Sequence, residues 1–390
     1  MSVIYMDYAG ACPVDPRVAE EMRPYEREKY GNPSSIHSYG GEAREAVESA
    51  RQKVAELVNA ERSAEVVFTS GATESINLAI KGAALRNSEK GKHLITTTIE
   101  HMSVLNTVKY LTTRGFTATF VPVDSVGLAD PQKVQEAVTK ETTLISMTYA
   151  NGEVGTVQAI REIGRIARDS GAHLHVDGVP AVGRLPLDVR RDNIDLLSMS
   201  SNDIYGPRGT GALYVRKGVK IEPVNHGGGQ ERGLRSGSEN VPGIIGFGKA
   251  AEIARLEMRE EASRLTALRD MMIREIGRGV KDGVLNGHPT ARTPNNVNFR
   301  FKYIEGEALI LRLNDLGIAA ATSSACTSKT LEPSHVLRGM GVPPEEAQGT
   351  LLLTMGRWTS AEDVDYVIEN VPGVVDLLRR MSPLTPETEV

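Results

Sequence analysis

Polar and titratable residues follow several strand-like segments of this sequence. Thr73, in "TSGATES", opens a helical pattern whose free N–H groups favour a phosphate, although Thr73 could simply cap the helix. Asp177 closes a strand-like run in "HVDG", where a buried carboxylate needs a protonated ring nitrogen, an arginine or a capping role. His101 follows "TTTIE" and could be an acid–base group, a stacking ring or a structural histidine.

Two residues in the last fifth of the chain suggest further chemistry. Cys326 lies among small polar residues in "ATSSACTSKT", which favours an accessible thiol over a core cysteine. Arg357, in "LTMGRWTS", is suited to clamp a carboxylate, although an ordinary surface ion pair explains it nearly as well. The other cysteine, Cys12, is expected to be a small buried residue.

Alternating helical and strand-like segments between about residues 40 and 255 must position these side chains. Helices of ten or more residues separate β-branched strands, which predicts right-handed crossovers and a mostly parallel sheet covered on both faces. Ligands of such α/β sheets bind beyond the carboxyl ends of the strands. The loops predicted to form the site are therefore 70–73, 100–102, 151–155, 177–180 and 200–211.

The composition shifts near residue 255, where a long, charged amphipathic helix in 251–280 leads into an α+β pattern. We therefore expect a large α/β domain over 13–255. Segments 1–12 and 256–390 are expected to form a smaller α+β domain that carries Cys326.

The whole-chain composition excludes some classes of function. The 390 residues carry a net charge of −5 with no basic block, which argues against nucleic acid and anionic membranes as partners. No apolar run reaches membrane-spanning length, and the first residues lack the features of a signal peptide. The sequence thus predicts a cytoplasmic protein.

Taken together, the motifs resemble those of cysteine desulfurases of the NifS/IscS type, which are pyridoxal-phosphate (PLP) enzymes of fold type I. The similar segments occur in order over nearly the whole chain: "YMDYAGACPVDPRV", "YGNPSSIHSYG", "VFTSGATESINLAIKG", "HVDG", "IYGPRGTGALYVR", "HGGGQERGLRSGS", "NNVNF", "SSACTSKTLEPSHVLRGMG" and "GRWTSAEDVDYV". The resemblance implies a homodimer with active sites at the subunit interface. It also implies that Cys326 receives the substrate's sulfur as a persulfide and that Arg357 grips the substrate carboxylate.

The resemblance further assigns the cofactor-binding residues. Thr73 and Ser200 match phosphate-binding positions, and Ser238 matches a phosphate-binding position contributed by the other subunit. Asp177 matches the aspartate that keeps the pyridine nitrogen protonated, and His101 matches the histidine stacked on the ring.

The chain departs from this family pattern at the catalytic lysine. The family reads Ser-Gly-His-Lys where this chain reads Ser-Ser-Asn-Asp at 200–203, so Asp203 replaces the lysine and Asn202 replaces a phosphate-side histidine. A carboxylate cannot form the Schiff base with PLP. Pro180 replaces a glutamine that bonds the ring hydroxyl, and Gly152 replaces the second asparagine of an Asn-Asn-Glu motif.

Two functional interpretations follow, and the sequence favours the first because the four departures lie in the cofactor pocket. In the first, the protein is a catalytically silent dimeric platform for iron–sulfur cluster assembly, with PLP non-covalently bound or absent. It docks an IscU-type scaffold through "RRMSPL" and presents Cys326 as a sulfur acceptor or as a ligand of a shared iron–sulfur cluster.

In the alternative, it is an active cysteine desulfurase that converts L-cysteine to L-alanine and a persulfide on Cys326. PLP then binds non-covalently and another base, with Lys329 as the nominee, replaces the lysine. A third interpretation is regulation of an active homologue through mixed dimers.

Overall fold

The computed structural model describes residues 3–322, 333–383 and 385. Its strands are β1 (Ile4–Tyr5), β2 (Val66–Thr69), β3 (His93–Thr97), β4 (Thr117–Val121), β5 (Thr142–Thr148), β6 (His173–Asp177), β7 (Leu196–Ser200), β8 (Gly211–Val215), β9 (Val284–Leu285), β10 (Asn296–Arg300), β11 (Ile318–Ala319) and β12 (Thr350–Thr354). Its α-helices are α1 (Pro16–Met22), α2 (Pro24–Arg27), α3 (Ser38–Leu57), α4 (Ala72–Arg86), α5 (Met102–Thr112), α6 (Pro131–Ala137), α7 (Ile160–Ser170), α8 (Val241–Gly279), α9 (Gly306–Asp315), α10 (His335–Gly339), α11 (Pro344–Ala347) and α12 (Ala361–Met381). Short 3₁₀ turns occupy Ser63–Glu65, Asn202–Ile204 and Glu231–Gly233.

A central sheet organises the first two-thirds of the chain. In the described residues it has seven strands in the order β2-β8-β7-β6-β5-β3-β4. Strand β8 runs antiparallel to β2 and β7, and the other neighbouring strands are parallel. The predicted α/β fold with a mostly parallel sheet is therefore confirmed. Strands β2, β3, β5, β6 and β7 all point to the same edge, so the loops that follow them meet there.

Helices cover both faces of this sheet. On one face, Val47 and Val54 of α3 and Phe247 of α8 belong to the buried cluster that also contains α6 and α7. On the other face, Ile80 of α4 and Val108 of α5 are buried against the strands. The helical spacing of the apolar residues creates these buried stripes, and their removal from water stabilises the layered arrangement.

Helix α8 begins earlier than its charged pattern predicts. It starts at Val241, where the side chain of Asn240 caps it by accepting from the Gly243 N–H. The first turns of α8 are apolar and buried against the sheet. The charged amphipathic pattern of the later turns therefore does not extend to them. Because α8 crosses the predicted boundary at 255, the division into two domains stays a prediction.

The C-terminal third forms a second hydrophobic cluster. Strands β9, β10 and β12 make an antiparallel sheet, and β1 pairs in parallel with β11. The later turns of α8 pack with α9 and α12 around Phe299 and Leu353. Within the described ranges, none of the helices combines the length and the hydrophobicity that crossing a membrane requires.

Candidate functional site

A cavity of about 300 Å³ lies at the edge where the parallel strands end. The sequence-predicted residues that line it are Thr73, His101, Gly152, Asp177, Pro180, Asn202 and Asp203. They come from the loops after β2, β3, β5, β6 and β7, as the strand directions require. The structure thus brings most of the predicted cofactor residues together in one chain.

Asp177 ends β6 in a buried position and accepts the Val179 N–H at 3.1 Å through Oδ1. Burial raises the pKa of the Asp177 carboxyl, and the charge of Asp203 adds to the rise. His101 and the Val179 N–H act in the opposite direction. A buried carboxylate in this setting is stabilised by a cationic donor, and the protonated nitrogen of a pyridine ring is a suitable one.

His101 caps the start of α5. Its Nδ1 accepts the Ser103 N–H at 3.1 Å and lies 2.6 Å from Ser103 Oγ. A backbone N–H can only donate, so Nδ1 is the acceptor in the contact with the Ser103 N–H. The capping contact fixes the ring in the cavity wall, so the structural and functional interpretations of His101 are compatible.

The start of α4 presents unused backbone donors to the same cavity. Gly71, not Thr73, is the N-cap residue, and no side chain caps this end. Among the described residues, none accepts from the N–H groups of Ala72, Thr73 or Glu74. Helix N-termini with free N–H groups bind phosphate through these donors and the helix dipole.

Asp203 lies in the 3₁₀ turn Asn202–Ile204, directly after β7. Burial raises the pKa of its carboxyl, and the guanidinium of Arg184 is the strongest influence in the other direction. Hydrogen bonding by the side chains of Ser200 and Asn202 also lowers it. The lysine position is therefore held by a partly desolvated carboxyl group that faces the cavity beside an arginine.

The departures at Gly152 and Pro180 are neighbours in space. A Cβ atom at Gly152 would lie 3.7 Å from Pro180 Cγ. Neither side chain offers a hydrogen-bond donor to this part of the cavity. The two replacements therefore change one side of the site, where the family's glutamine and asparagine would lie.

Three predicted residues do not line the cavity. Ser200 ends β7 outside the cavity wall, and Ser238 is exposed in the loop before α8. The Arg357 guanidinium contacts Asp15 and lies 3.0 Å from Glu261 Oε2. In this structure these carboxylates hold the Arg357 guanidinium outside the described cavity wall, and its role toward a substrate carboxylate stays a prediction.

Cys326 and Lys329 lie outside the described residues. They are the predicted thiol, which is also the predicted iron–sulfur ligand, and the nominated base. Among the residues that are described, no group of three or more His, Cys, Asp or Glu side chains is arranged to hold a metal ion. Cys12 is 3% exposed, as expected for a buried cysteine.

The sequence interpretation missed several residues of the described cavity wall, and Glu100 and Arg184 are two of them. Glu100 is buried, and burial raises the pKa of its carboxyl to about 8, so it is protonated at neutral pH. Arg184 lines the cavity and follows Asp177 by seven positions in the same loop. Arg184 follows the end of the predicted loop 177–180, so a longer predicted loop would have included it. Glu100 lies inside the predicted loop 100–102, where the prediction singled out only its neighbour His101.

The donor set fits PLP in part. Asp177 suits the ring nitrogen, the start of α4 suits the phosphate, and His101 lies in the same cavity wall. Asp203 provides no amine for a covalent bond to the cofactor, and Pro180 provides no donor for the ring hydroxyl. The residues therefore fit a bound PLP that lacks its covalent anchor.

Comparison with known families gives an independent result. The family model "Aminotransferase class-V" matches residues 4–367. Cysteine desulfurase IscS 1 of Archaeoglobus fulgidus is 55% identical over 380 residues, covering 97% of this chain and 99% of the relative. Cysteine desulfurase IscS of Methanosarcina thermophila is 51% identical over 384 residues, covering 98% of this chain and 95% of the relative.

Solved structures agree with this assignment. A NifS-like protein with 38% sequence identity superposes with a TM-score of 0.90, covering 97% of this chain and 100% of that one. The structure of SspA in complex with cysteine has 34% identity and a TM-score of 0.80, covering 91% of this chain and 99% of that one.

Proposed function

The chain belongs to the aminotransferase class-V family and, within it, to the cysteine desulfurases, and we propose that it binds PLP non-covalently and acts on L-cysteine. The observation that carries the proposal is the cavity at the sheet edge. It keeps Asp177, His101 and the uncapped start of α4 together although Asp203 stands at the lysine position.

Each group of the cavity has a separate task in this proposal. Asp177 holds the ring nitrogen, and the N–H groups of Ala72 and Thr73 hold the phosphate. Bound PLP supplies an electron sink for the carbon atoms of the substrate. The negative charge of Asp203 at the lysine position attracts the substrate's ammonium group.

The net reaction requires a thiol, and none of the described residues that line the cavity is a cysteine. The bond between Cβ and sulfur of L-cysteine breaks, and a new sulfur–sulfur bond forms on Cys326. The products are L-alanine and a Cys326 persulfide, so that atoms and electrons balance without an added oxidant. This role for Cys326 follows from the family pattern "SSACTSKT".

The comparisons with known proteins favour an active enzyme, not a catalytically silent platform. The similar proteins are named cysteine desulfurases, and the SspA structure contains cysteine. Asp177 also keeps a position in the cavity that suits a pyridine nitrogen. The relatives and the cavity together therefore favour the alternative that the sequence ranked second.

The platform interpretation remains the second candidate. It is favoured by Asp203 and Pro180, which remove the covalent anchor and a ring donor. In that case Cys326 would serve an IscU-type scaffold as a sulfur acceptor or a ligand of a shared iron–sulfur cluster. The proposed homodimer is common to both candidates, and the exposed Ser238 outside the cavity supports a contribution to the partner's site.

Product analysis of the PLP-saturated protein separates the two candidates. We expect L-cysteine to yield L-alanine and a persulfide on Cys326, detected by peptide mass spectrometry, and to yield sulfide when an added thiol reductant cleaves that persulfide. Cys326→Ser should lower sulfide release at least about tenfold, because the thiolate is the sulfur acceptor. Cys12→Ser is the matched control, since the buried thiol of Cys12 donates to the Tyr8 carbonyl at 3.3 Å.

The opposite result would be an absence of L-alanine at saturating PLP. If the protein then still supported cluster assembly on a scaffold in a Cys326-dependent manner, the platform would be the function.

A further inference from the structure

Helix α10 packs directly on two of the loops that build the cavity. Val336, Leu337 and Met340 are buried in a small hydrophobic cluster. The same cluster contains Ile99 of the loop after β3 and Val154 of the loop after β5. It is different from the clusters that contain the central sheet and the C-terminal sheet. Removing these side chains from water therefore stabilises α10 against the site loops in particular.

A glycine and a cap determine how α10 approaches the loop after β3. A Cβ atom at Gly339 would lie 2.9 Å from Ile99 Cγ2 and 3.2 Å from Thr98 Oγ1, so the contact requires a residue without a side chain. At the start of the helix, Ser334 Oγ accepts two backbone N–H groups at 3.2 and 3.3 Å. These contacts fix the position of His335, the first residue of α10.

His335 holds a backbone carbonyl of the cavity wall. Its Nε2 lies 2.9 Å from the Glu100 carbonyl oxygen, and a carbonyl oxygen can only accept, so Nε2 is the donor. Burial lowers the pKa of the His335 imidazole, so the ring is mainly neutral at pH 7. The Glu100 carbonyl belongs to the peptide unit that joins Glu100 to His101. The hydrogen bond thus fixes the peptide unit directly before the side chain of His101.

The carbonyl one residue earlier is held in a similar way. Asn151 Nδ2 donates to the Ile99 carbonyl at 2.9 Å, and its Oδ1 accepts two N–H groups of its own loop at 2.9 and 3.0 Å. Asn151 is 5% exposed, so water competes little for these hydrogen bonds. Side chains from two distant parts of the chain therefore fix two successive carbonyls before His101.

We propose that His335 is a positioning residue that orients the His101 ring in the cavity. It holds the Glu100 carbonyl, and the contact between His101 Nδ1 and the Ser103 N–H then fixes the ring itself. The proposal rests on the proposed function, since it explains how this chain holds the ring that is proposed to stack on PLP. Because Asp203 provides no covalent anchor, the affinity for PLP depends on such non-covalent contacts.

Two substitutions of His335 separate the hydrogen bond from the rest of the side chain. His335→Leu removes the donor, whereas the side-chain amide of His335→Gln can donate to the same carbonyl. In an absorbance titration with PLP, we expect His335→Leu to weaken binding about fivefold and His335→Gln to weaken it less than about twofold. Arg338→Met changes an exposed residue of the same helix and is the matched control, with an unchanged affinity expected.

A double-mutant cycle tests whether His335 acts through His101, because His335 also lines the cavity and could contact a ligand itself. In the His101→Ala background, His335→Leu should weaken PLP binding by less than about twofold, since no ring remains to be oriented. A loss of about fivefold that persists in this background would overturn the proposal and indicate direct contact with the ligand. Equal losses in His335→Leu and His335→Gln would also overturn it.

Amide hydrogen exchange of the PLP-free protein gives a readout that does not need the cofactor. The Val104 N–H donates to the His101 carbonyl at 2.8 Å, and the Ser103 N–H donates to His101 Nδ1. His335→Leu should accelerate the exchange of these two amides at least about threefold and leave the amides of α7 unchanged. Unchanged exchange at both positions would refute the positioning role. If the wild-type protein shows no saturable PLP binding, the proposed function fails, and the exchange result alone decides the role of His335.

Discussion

Residue 203 determines how this chain can hold its cofactor. An aspartate there can bind a cation or accept a proton, but it cannot form the carbon–nitrogen bond that a lysine forms with PLP. Burial raises the pKa of the Asp203 carboxyl, and the Arg184 guanidinium lowers it. A carboxyl group at this position therefore makes the site electrostatically different from one that carries a lysine.

Restoring the lysine gives a direct test of this view. We expect Asp203→Lys to form a covalent bond to PLP, because the side chain at 203 faces the same cavity as Asp177 and His101. Borohydride reduction followed by peptide mass spectrometry should then locate a phosphopyridoxyl group on residue 203. Asp203→Asn is the control and should show none. A reduced variant without this adduct would mean that the cofactor binds in a different orientation or not at all.

At the residue scale, the sequence predicted which residues lie near the cavity better than it predicted which side chains they contact. Asp177, His101 and Thr73 were found because each follows a strand, and strand ends meet at one edge. The ion pairs of Arg357 with Asp15 and Glu261 were not predicted, because these partners are remote in sequence. No local pattern reveals such a long-range ion pair.

At the scale of the elements, the loops after the parallel strands build the site. Their convergence was predictable, because alternating helices and strands fix the direction of every parallel strand. The earlier start of α8 was not predictable from charge periodicity, since its first turns are buried on the sheet. Local sequence patterns thus specify the order of the elements but not where a buried helix begins.

The loop before α8 is also anchored by a buried pair. Arg51 of α3 contacts Glu231 through two nitrogens at 2.7 and 2.8 Å, and the Phe68 N–H donates to Glu231 at 2.8 Å. Arg235 lies 2.9 Å from Glu74 near the start of α4. These contacts hold the segment that presents Ser238, because breaking a buried pair leaves an uncompensated charge.

The turn after β6 provides the prediction at this scale. Gly183→Ala should destabilise the protein by about 3 kcal/mol or more, because the methyl group adds a collision with Ile204 to the strain of a positive φ. Gly171→Ala is the matched control, with a φ of +74° and open space around the added atom, and should cost about 1 kcal/mol. Thermal denaturation of the two variants measures the difference. Equal losses would mean that the turn does not pack tightly against Ile204.

At the scale of the whole molecule, α8 joins two hydrophobic clusters. Its first turns belong to the cluster of the central sheet, and its later turns belong to the cluster of the C-terminal third. One continuous helix therefore connects the part that carries Asp203 with the part that carries Arg357. The family resemblance extends over both, because the class-V model matches residues 4–367.

The central claim is that this molecule binds PLP without a covalent bond. The most direct measurement is an absorbance titration of the PLP-free protein with PLP, followed by borohydride treatment and mass spectrometry under denaturing conditions. We predict saturable binding and an unchanged protein mass after reduction. A mass increase from a phosphopyridoxyl group on any lysine, or the absence of saturable binding, would contradict the account.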